Sequence, residues 1–168
     1  MPGRAAVTGA SGFVGRRLVE RLLQDGWRVR ALLRRPDPAL AALAVEAVPG
    51  SLAESAALAA LVRDADAVIH VAGAISARNA AEFRAVNAAG TAALAEALLA
   101  LPASPPLVHV SSLAARAPQV SPYAASKRAA EEELARRSPP LRRIVVRPPA
   151  IYGPGDREML DLFRAARF

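Results

Sequence analysis

The chain is 168 residues long, 53% hydrophobic and 22% charged, with a formal charge of +7 at pH 7. This describes about one domain of soluble globular protein, long enough for a sizeable core and too apolar for a disordered chain. Cysteine is absent, which excludes disulfides and thiolate metal sites and fits a reducing compartment. No apolar run reaches the roughly 18 residues of a membrane span, and the first residues lack the pattern of a signal peptide. A soluble cytoplasmic protein without a membrane partner is therefore expected. The positive charge comes from 21 arginines and a single lysine, spread singly and in pairs along the sequence. A nucleic-acid surface needs clustered charge, so no nucleic-acid partner is expected.

Short β-like runs alternate with longer helix-like ones. "RAAVTGA" (4–10) reads as a buried strand running into glycine, and "FVGRRLVERLLQDG" (13–26) as a helix that stops at Gly26. "RVRALLRR" (28–35) reads as a strand broken by "RPDP". Residues 38–46 can form a short helix, and "VEAVPGSL" (45–52) a short strand with its exit. Residues 54–65 are helical, and "DAVIHVAGA" (66–74) is a buried strand ending at Gly73. One long alanine-rich helix is predicted over much of 79–100. "LVHVSS" (107–112) is a strand, 123–137 a helix, and 141–156 a strand leading into a Pro/Gly loop. Six alternations predict an α/β fold, a doubly wound parallel sheet with helices on both faces.

"VTGASGFVG" (7–15) places Gly9, Gly12 and Gly15 three apart, between the first strand and the first helix. In that setting the glycines serve a tight turn, close approach of a pyrophosphate, and close helix–strand packing, while the helix N-terminus faces the phosphates. Dinucleotide binding follows. At the end of the second strand a carboxylate would favour NAD and an arginine the 2′-phosphate of NADP. The sequence there is "ALLRRP", with Arg34 and Arg35 and no acid before Asp37. NADP(H) is favoured over NAD(H), with Arg34 as the preferred contact.

These motifs, with "DAVIHVAG" (66–73), "VNAAGTAAL" (86–94), "VHVSS" (108–112), "PYAASK" (122–127) and "VRPPAIYGPGD" (146–156), occur in one order. The chain resembles the extended short-chain dehydrogenase/reductase family, also called the NAD-dependent epimerase/dehydratase family, over nearly its whole length. The resemblance implies a Rossmann fold of strand order 3-2-1-4-5-6 over residues 1–152. It further implies catalysis by Ser112, Tyr123 and Lys127, with Ser111 the alternative serine. Cofactor contacts are implied at Gly9, Ser11, Gly12, Phe13, Val14, Arg34, Ser51, Leu52, Val71, Ala72, Gly73, Tyr123, Lys127, Pro149 and Ile151. Residues four apart share a helix face, so Tyr123 and Lys127, the only lysine, can point together. An ammonium beside a phenol favours the ionised phenol, and the resemblance implies that Lys127 also bonds the nicotinamide ribose. Arginine's planar fork does not replace that compact donor. Asn87, in the Asn-x-x-Gly-Thr motif, is implied to have an internal structural or active-site role, with a merely buried polar group as the alternative. His70 and His109 lie in apolar strands and read as hydrogen-bonded core histidines. Neither has a partner at ligand spacing, so no metal site is predicted.

The sequence also departs from that family. Ser51 stands where an acid that helps hold adenine is common. "LAARAP" follows Ser112 without Tyr-Gly, and only ten residues separate Ser112 from Tyr123. These differences favour a reductase of a smaller carbonyl or alcohol over a nucleotide-sugar epimerase or dehydratase, although both share the same triad. The sequence stops soon after "IYGPGD", so residues 153–168 are expected to begin a truncated substrate-binding region whose larger part is absent. A sheet without that cover would expose apolar surface, favouring a homodimer. The competing expectation is a non-catalytic NADP-binding or redox-sensing protein.

Overall fold

The computed structural model describes residues 3–156. Its sheet is β1 (Arg4–Thr8), β2 (Arg28–Leu33), β3 (Glu46–Pro49), β4 (Ala67–His70), β5 (Leu107–Val110) and β6 (Arg143–Val146). All neighbours are parallel, in the order β3-β2-β1-β4-β5-β6. This is the doubly wound Rossmann arrangement predicted from the sequence. The chain reverses direction across the sheet between β1 and β4, and the carboxyl ends of the strands there open the crevice where ligands bind such folds.

The helices follow from apolar spacing and from their caps. Helix α1 (Phe13–Gln24) buries Gly15 and Val19, and α2 (Pro38–Ala42) is capped by the Asp37 carboxylate and begins with proline. Together they cover one sheet face, where Val7, Val19, Val29, Leu33, Leu40 and Val45 pack. Helix α3 (Ser55–Val62), α5 (Gly90–Leu99) and α6 (Pro122–Arg136) cover the other. There Leu58, Leu61, Leu94, Leu98, Leu107 and Leu134 are fully buried, each contributing roughly 1.5–3 kcal/mol of transfer free energy. Ile144 and Val146 of β6 are exposed.

The long helix predicted over 79–100 is interrupted. Short α4 (Ala80–Phe83) passes through a π-helical turn, Arg84–Ala89, into α5. The wider turn carries Asn87 inward, where its amide accepts from the Ala74 N–H and donates to the Ala74 carbonyl and Ser126 Oγ. Single π-turns inside a helix are frequent at functional sites. Strand β4 also ends earlier than predicted, at His70. Beyond it the Val71 N–H turns to the Thr8 carbonyl and the Ala72 N–H to Thr8 Oγ1.

Candidate active site

The glycine loop closes the gap between β1 and α1. Gly9 has φ +73°, and a β-carbon there would lie 2.6 Å from the Ala72 nitrogen. Gly9 therefore serves both the turn and the close passage of β4's exit. A β-carbon on Gly15 would lie 2.0 Å from the Gly9 carbonyl oxygen, so only glycine lets the helix come this close to the loop. Gly12 is less confined: its N–H donates to the Gly9 carbonyl, and an added β-carbon would meet only that oxygen, at 3.3 Å. Ser11 and Gly12 are exposed, and Phe13 and Val14 are half-buried. No side chain caps the N-terminus of α1. Its first turn thus keeps unpaired N–H groups and the positive end of the helix dipole toward the crevice.

At the end of β2, Asp37 is already engaged. Its carboxylate accepts from the Ala39 and Leu40 N–H groups and pairs with Arg16 of α1 at 2.6 Å. Arg34 and Arg35 are exposed, and among the described residues neither takes part in an ion pair. They border a recess of about 200 Å³ lined also by Leu33, Leu40, Val45 and Pro49. After β3, Ser51 Oγ donates to Glu54 and accepts from the Ala53 N–H. Leu52 fills the space that Gly90 leaves open, where a β-carbon would come within 2.8 Å of the leucine Cδ1.

The remaining candidates converge from three strand ends. The two serines after β5 diverge. Ser111 is buried and donates to Glu131 Oε1, whereas Ser112 is half-buried and accepts from the Ala114 N–H, starting a 3₁₀ turn over Leu113–Arg116. Ser121 caps α6 and Pro122 opens it. Tyr123 follows at once, its ring edge-on to Phe83 with centroids 6.0 Å apart. One turn later the Lys127 ammonium, buried, donates to the Val110 carbonyl at 2.7 Å. Burial lowers its pKa to about 8, against the opposing pull of the Glu131 carboxylate. A β-carbon on Gly73 would sit 3.6 Å from Lys127 Nζ and 3.1 Å from Asn87 Oδ1, so a bare backbone passes the ammonium there. Val71 and Ala72 are half-buried just before it. Pro149 and Ile151 are exposed on the loop after β6, which the Leu113 N–H holds by the Pro148 carbonyl. That loop returns to α1, and a β-carbon on Gly153 would lie 3.8 Å from the Phe13 ring.

The two histidines behave differently. His70 is fully buried between Thr8 Oγ1 at 2.6 Å and Thr91 Oγ1 at 2.9 Å, as expected of a hydrogen-bonded core histidine. For His109 that expectation needs correction: neither ring nitrogen has a partner. Its ring lies 5.1 Å from that of His70, and the nearby Glu131 carboxylate is taken by Ser111 and Arg147. Burial and the Lys127 charge push its pKa down to about 3, so it stays neutral. Among the described residues no group of three or more His, Cys, Asp or Glu could hold a metal. No described helix is long and apolar enough to cross a membrane.

Residues 5–166 match the profile of the NAD dependent epimerase/dehydratase family. The chain belongs to that family. A ceramide reductase of Caulobacter vibrioides is 51% identical over 98% of this chain and 51% of its own length. A Stigmatella aurantiaca ketoreductase of 4-hydroxy-2-methyl-3-oxo-4-farnesyl-3,4-dihydroquinoline-1-oxide is 33% identical over 98% of this chain and 56% of its own. A short-chain dehydrogenase/reductase superfamily structure from Agrobacterium tumefaciens, with bound NAD, superposes with TM-score 0.73 at 28% identity. It covers 86% of this chain and 48% of that one. The chain spans about half the length of the curated relatives it matches. Glu131 and Ser126, which the sequence did not single out, contact candidate residues: Glu131 accepts from Ser111 Oγ and Ser126 Oγ from the Asn87 amide. Glu131 carried the signal of helical spacing, one turn after Lys127, whereas Ser126, adjacent to Lys127, carried no periodic signal.

Proposed function

We propose that the chain is the cofactor-binding and catalytic portion of an NADP(H)-dependent reductase whose substrate carries a ketone on an apolar, ceramide-class lipid. Residues 1–152 form the nucleotide-binding domain and 153–168 begin the substrate-binding region, although 157–168 lie outside the described residues. The observation that carries this reading is the buried Lys127 ammonium, held on the Val110 carbonyl one helical turn from Tyr123 and beside the bare Gly73 backbone.

The residues fit a dinucleotide. The tight Gly9–Gly15 cradle and the uncapped start of α1 suit a pyrophosphate. Unpaired Arg34 and Arg35, with Asp37 committed to Arg16, suit a 2′-phosphate better than a bare ribose. When bound, the nicotinamide would supply hydride to the substrate's carbonyl carbon. Tyr123 would hold the proton that passes to the carbonyl oxygen, and Ser112 Oγ would donate to that oxygen and orient it. The Lys127 ammonium would stabilise negative charge left on the phenol oxygen and hold the nicotinamide ribose. Substrate class is supported by two relatives, one a ceramide reductase and one a ketoreductase of a farnesyl compound. Leu113 and Val120, exposed in the short segment between Ser112 and Tyr123, add apolar surface beside the triad.

Fluorescence titration with NADPH and NADH tests the cofactor. NADPH should bind at least about tenfold more weakly to Arg34→Ala than to the unsubstituted chain, a loss of about 1.4 kcal/mol, with NADH unchanged. Equal losses for both cofactors, or none, would remove the basis for NADP.

A further inference from the structure

Behind Lys127, away from the crevice, three elements meet on one carboxylate. Glu131 is 8% exposed and lies one turn after Lys127 on α6. Its Oε1 accepts from Ser111 Oγ at the end of β5 and from Arg147 Nε at 2.9 Å, and its Oε2 from Arg147 Nη2 beyond β6. Ser111 adjoins Ser112, and Arg147 adjoins Pro148, whose carbonyl holds the Leu113 N–H. A two-pronged guanidinium–carboxylate pair fixes orientation as well as distance, and here an exposed guanidinium covers a buried carboxylate.

Resting on the reductase reading above, we propose that Glu131 is a positioning residue, whose carboxylate ties the ends of β5 and β6 to the catalytic helix and balances the buried Lys127 charge. Burial drives Lys127 toward neutrality, and Glu131 opposes it. From the other elements, His109 on β5 and His70 on β4 face the same region, both held neutral by burial. The Val110 carbonyl accepts from the ammonium, and the Arg147 cation pairs with Glu131. Burial raises the proton affinity of Glu131, but hydrogen bonds from Arg147 and Ser111 outweigh it and keep the carboxylate ionised. The anion thus serves two cations at once, and the clamp and the site's charge depend on the same group.

The lone lysine makes the test direct. Lysine labelled with carbon-13 at Cε gives one side-chain resonance, so its pH titration reads Lys127 without assignment. In the unsubstituted chain the resonance should titrate near pH 8. Glu131→Gln keeps the side chain's size and removes its charge, so the titration should fall by about one unit, a tenfold loss of proton affinity. Arg147→Gln leaves the carboxylate without its neutralising cation and should move the titration up. Loosened packing would expose Lys127 and raise it in both variants, so shifts of the same sign, or none, overturn the proposal. Should Glu131→Gln fail to fold, Arg147→Lys decides. Its added lysine gives a second resonance, which the spectra of the unsubstituted chain and of Arg147→Gln lack and which is thereby told apart from Lys127. The substitution keeps the cation and loses the fork, so it should hold the Lys127 titration near that of the unsubstituted chain while Arg147→Gln raises it. An equal rise in both would overturn the proposal. The measurement uses neither cofactor nor substrate, whereas failure of NADPH to bind would count against the cofactor reading alone.

Discussion

Replacing Lys127 with methionine should change the pH dependence of stability in a defined direction. The lysine's pKa falls from 10.5 to about 8 on folding because the ammonium leaves water. Between those values the unfolded chain binds more protons than the folded one, so stability rises with pH across that window. Below about 8 both states are protonated and the full cost of burying the charge is present, about 3 kcal/mol at 1.36 kcal/mol per unit. At pH 9.5 the same linkage leaves about 1 kcal/mol. Lys127→Met removes this titration, while its lost bond to the Val110 carbonyl adds a cost independent of pH over this range. Urea unfolding of both proteins at pH 7 and pH 9.5 isolates the linkage. The stability of the parent relative to the variant should rise by about 2 kcal/mol between the two conditions. A difference that stays constant would refute the claim that Lys127 carries its charge into a dry site.

Two glycine substitutions separate packing from binding. Gly15→Ala puts a β-carbon 2.0 Å from the Gly9 carbonyl oxygen, which should cost more than about 3 kcal/mol. A thermal melt should then fall by at least about 6 °C. Gly12→Ala meets only one oxygen, at 3.3 Å. It should melt within about 2 °C of the parent yet bind NADPH at least about tenfold more weakly by fluorescence titration, because the exposed loop would lose its close approach to the phosphates.

Sheet and helices were legible because each strand is a short apolar run and each helix repeats at its own period. Alternation alone implied parallel strands. The strand order came instead from the resemblance. What the sequence withheld depends on long-range pairing. The π-turn at Arg84–Ala89 accompanies an Asn87 contact with a loop 13 residues away, so helical periodicity passed through it unmarked. The histidines of β4 and β5 look alike in sequence, yet only His70 faces two threonine hydroxyls. Likewise, "SS" leaves two candidates, and their separation becomes visible only when Glu131 takes Ser111 into the core. The glycine loop was the reverse case, since Gly9 and Gly15 are fixed by contacts so close that residue type alone declared them.

The central claim is that Tyr123 delivers the proton while NADPH delivers the hydride. The most direct measurement follows deuterium from C4-labelled NADPH into a ceramide-class ketone, using protein containing this chain and its Tyr123→Phe variant. The account predicts label on the carbinol carbon and a rate at least about 100-fold lower in the variant, with NADPH binding retained. Label transfer at an equal rate in Tyr123→Phe would contradict it.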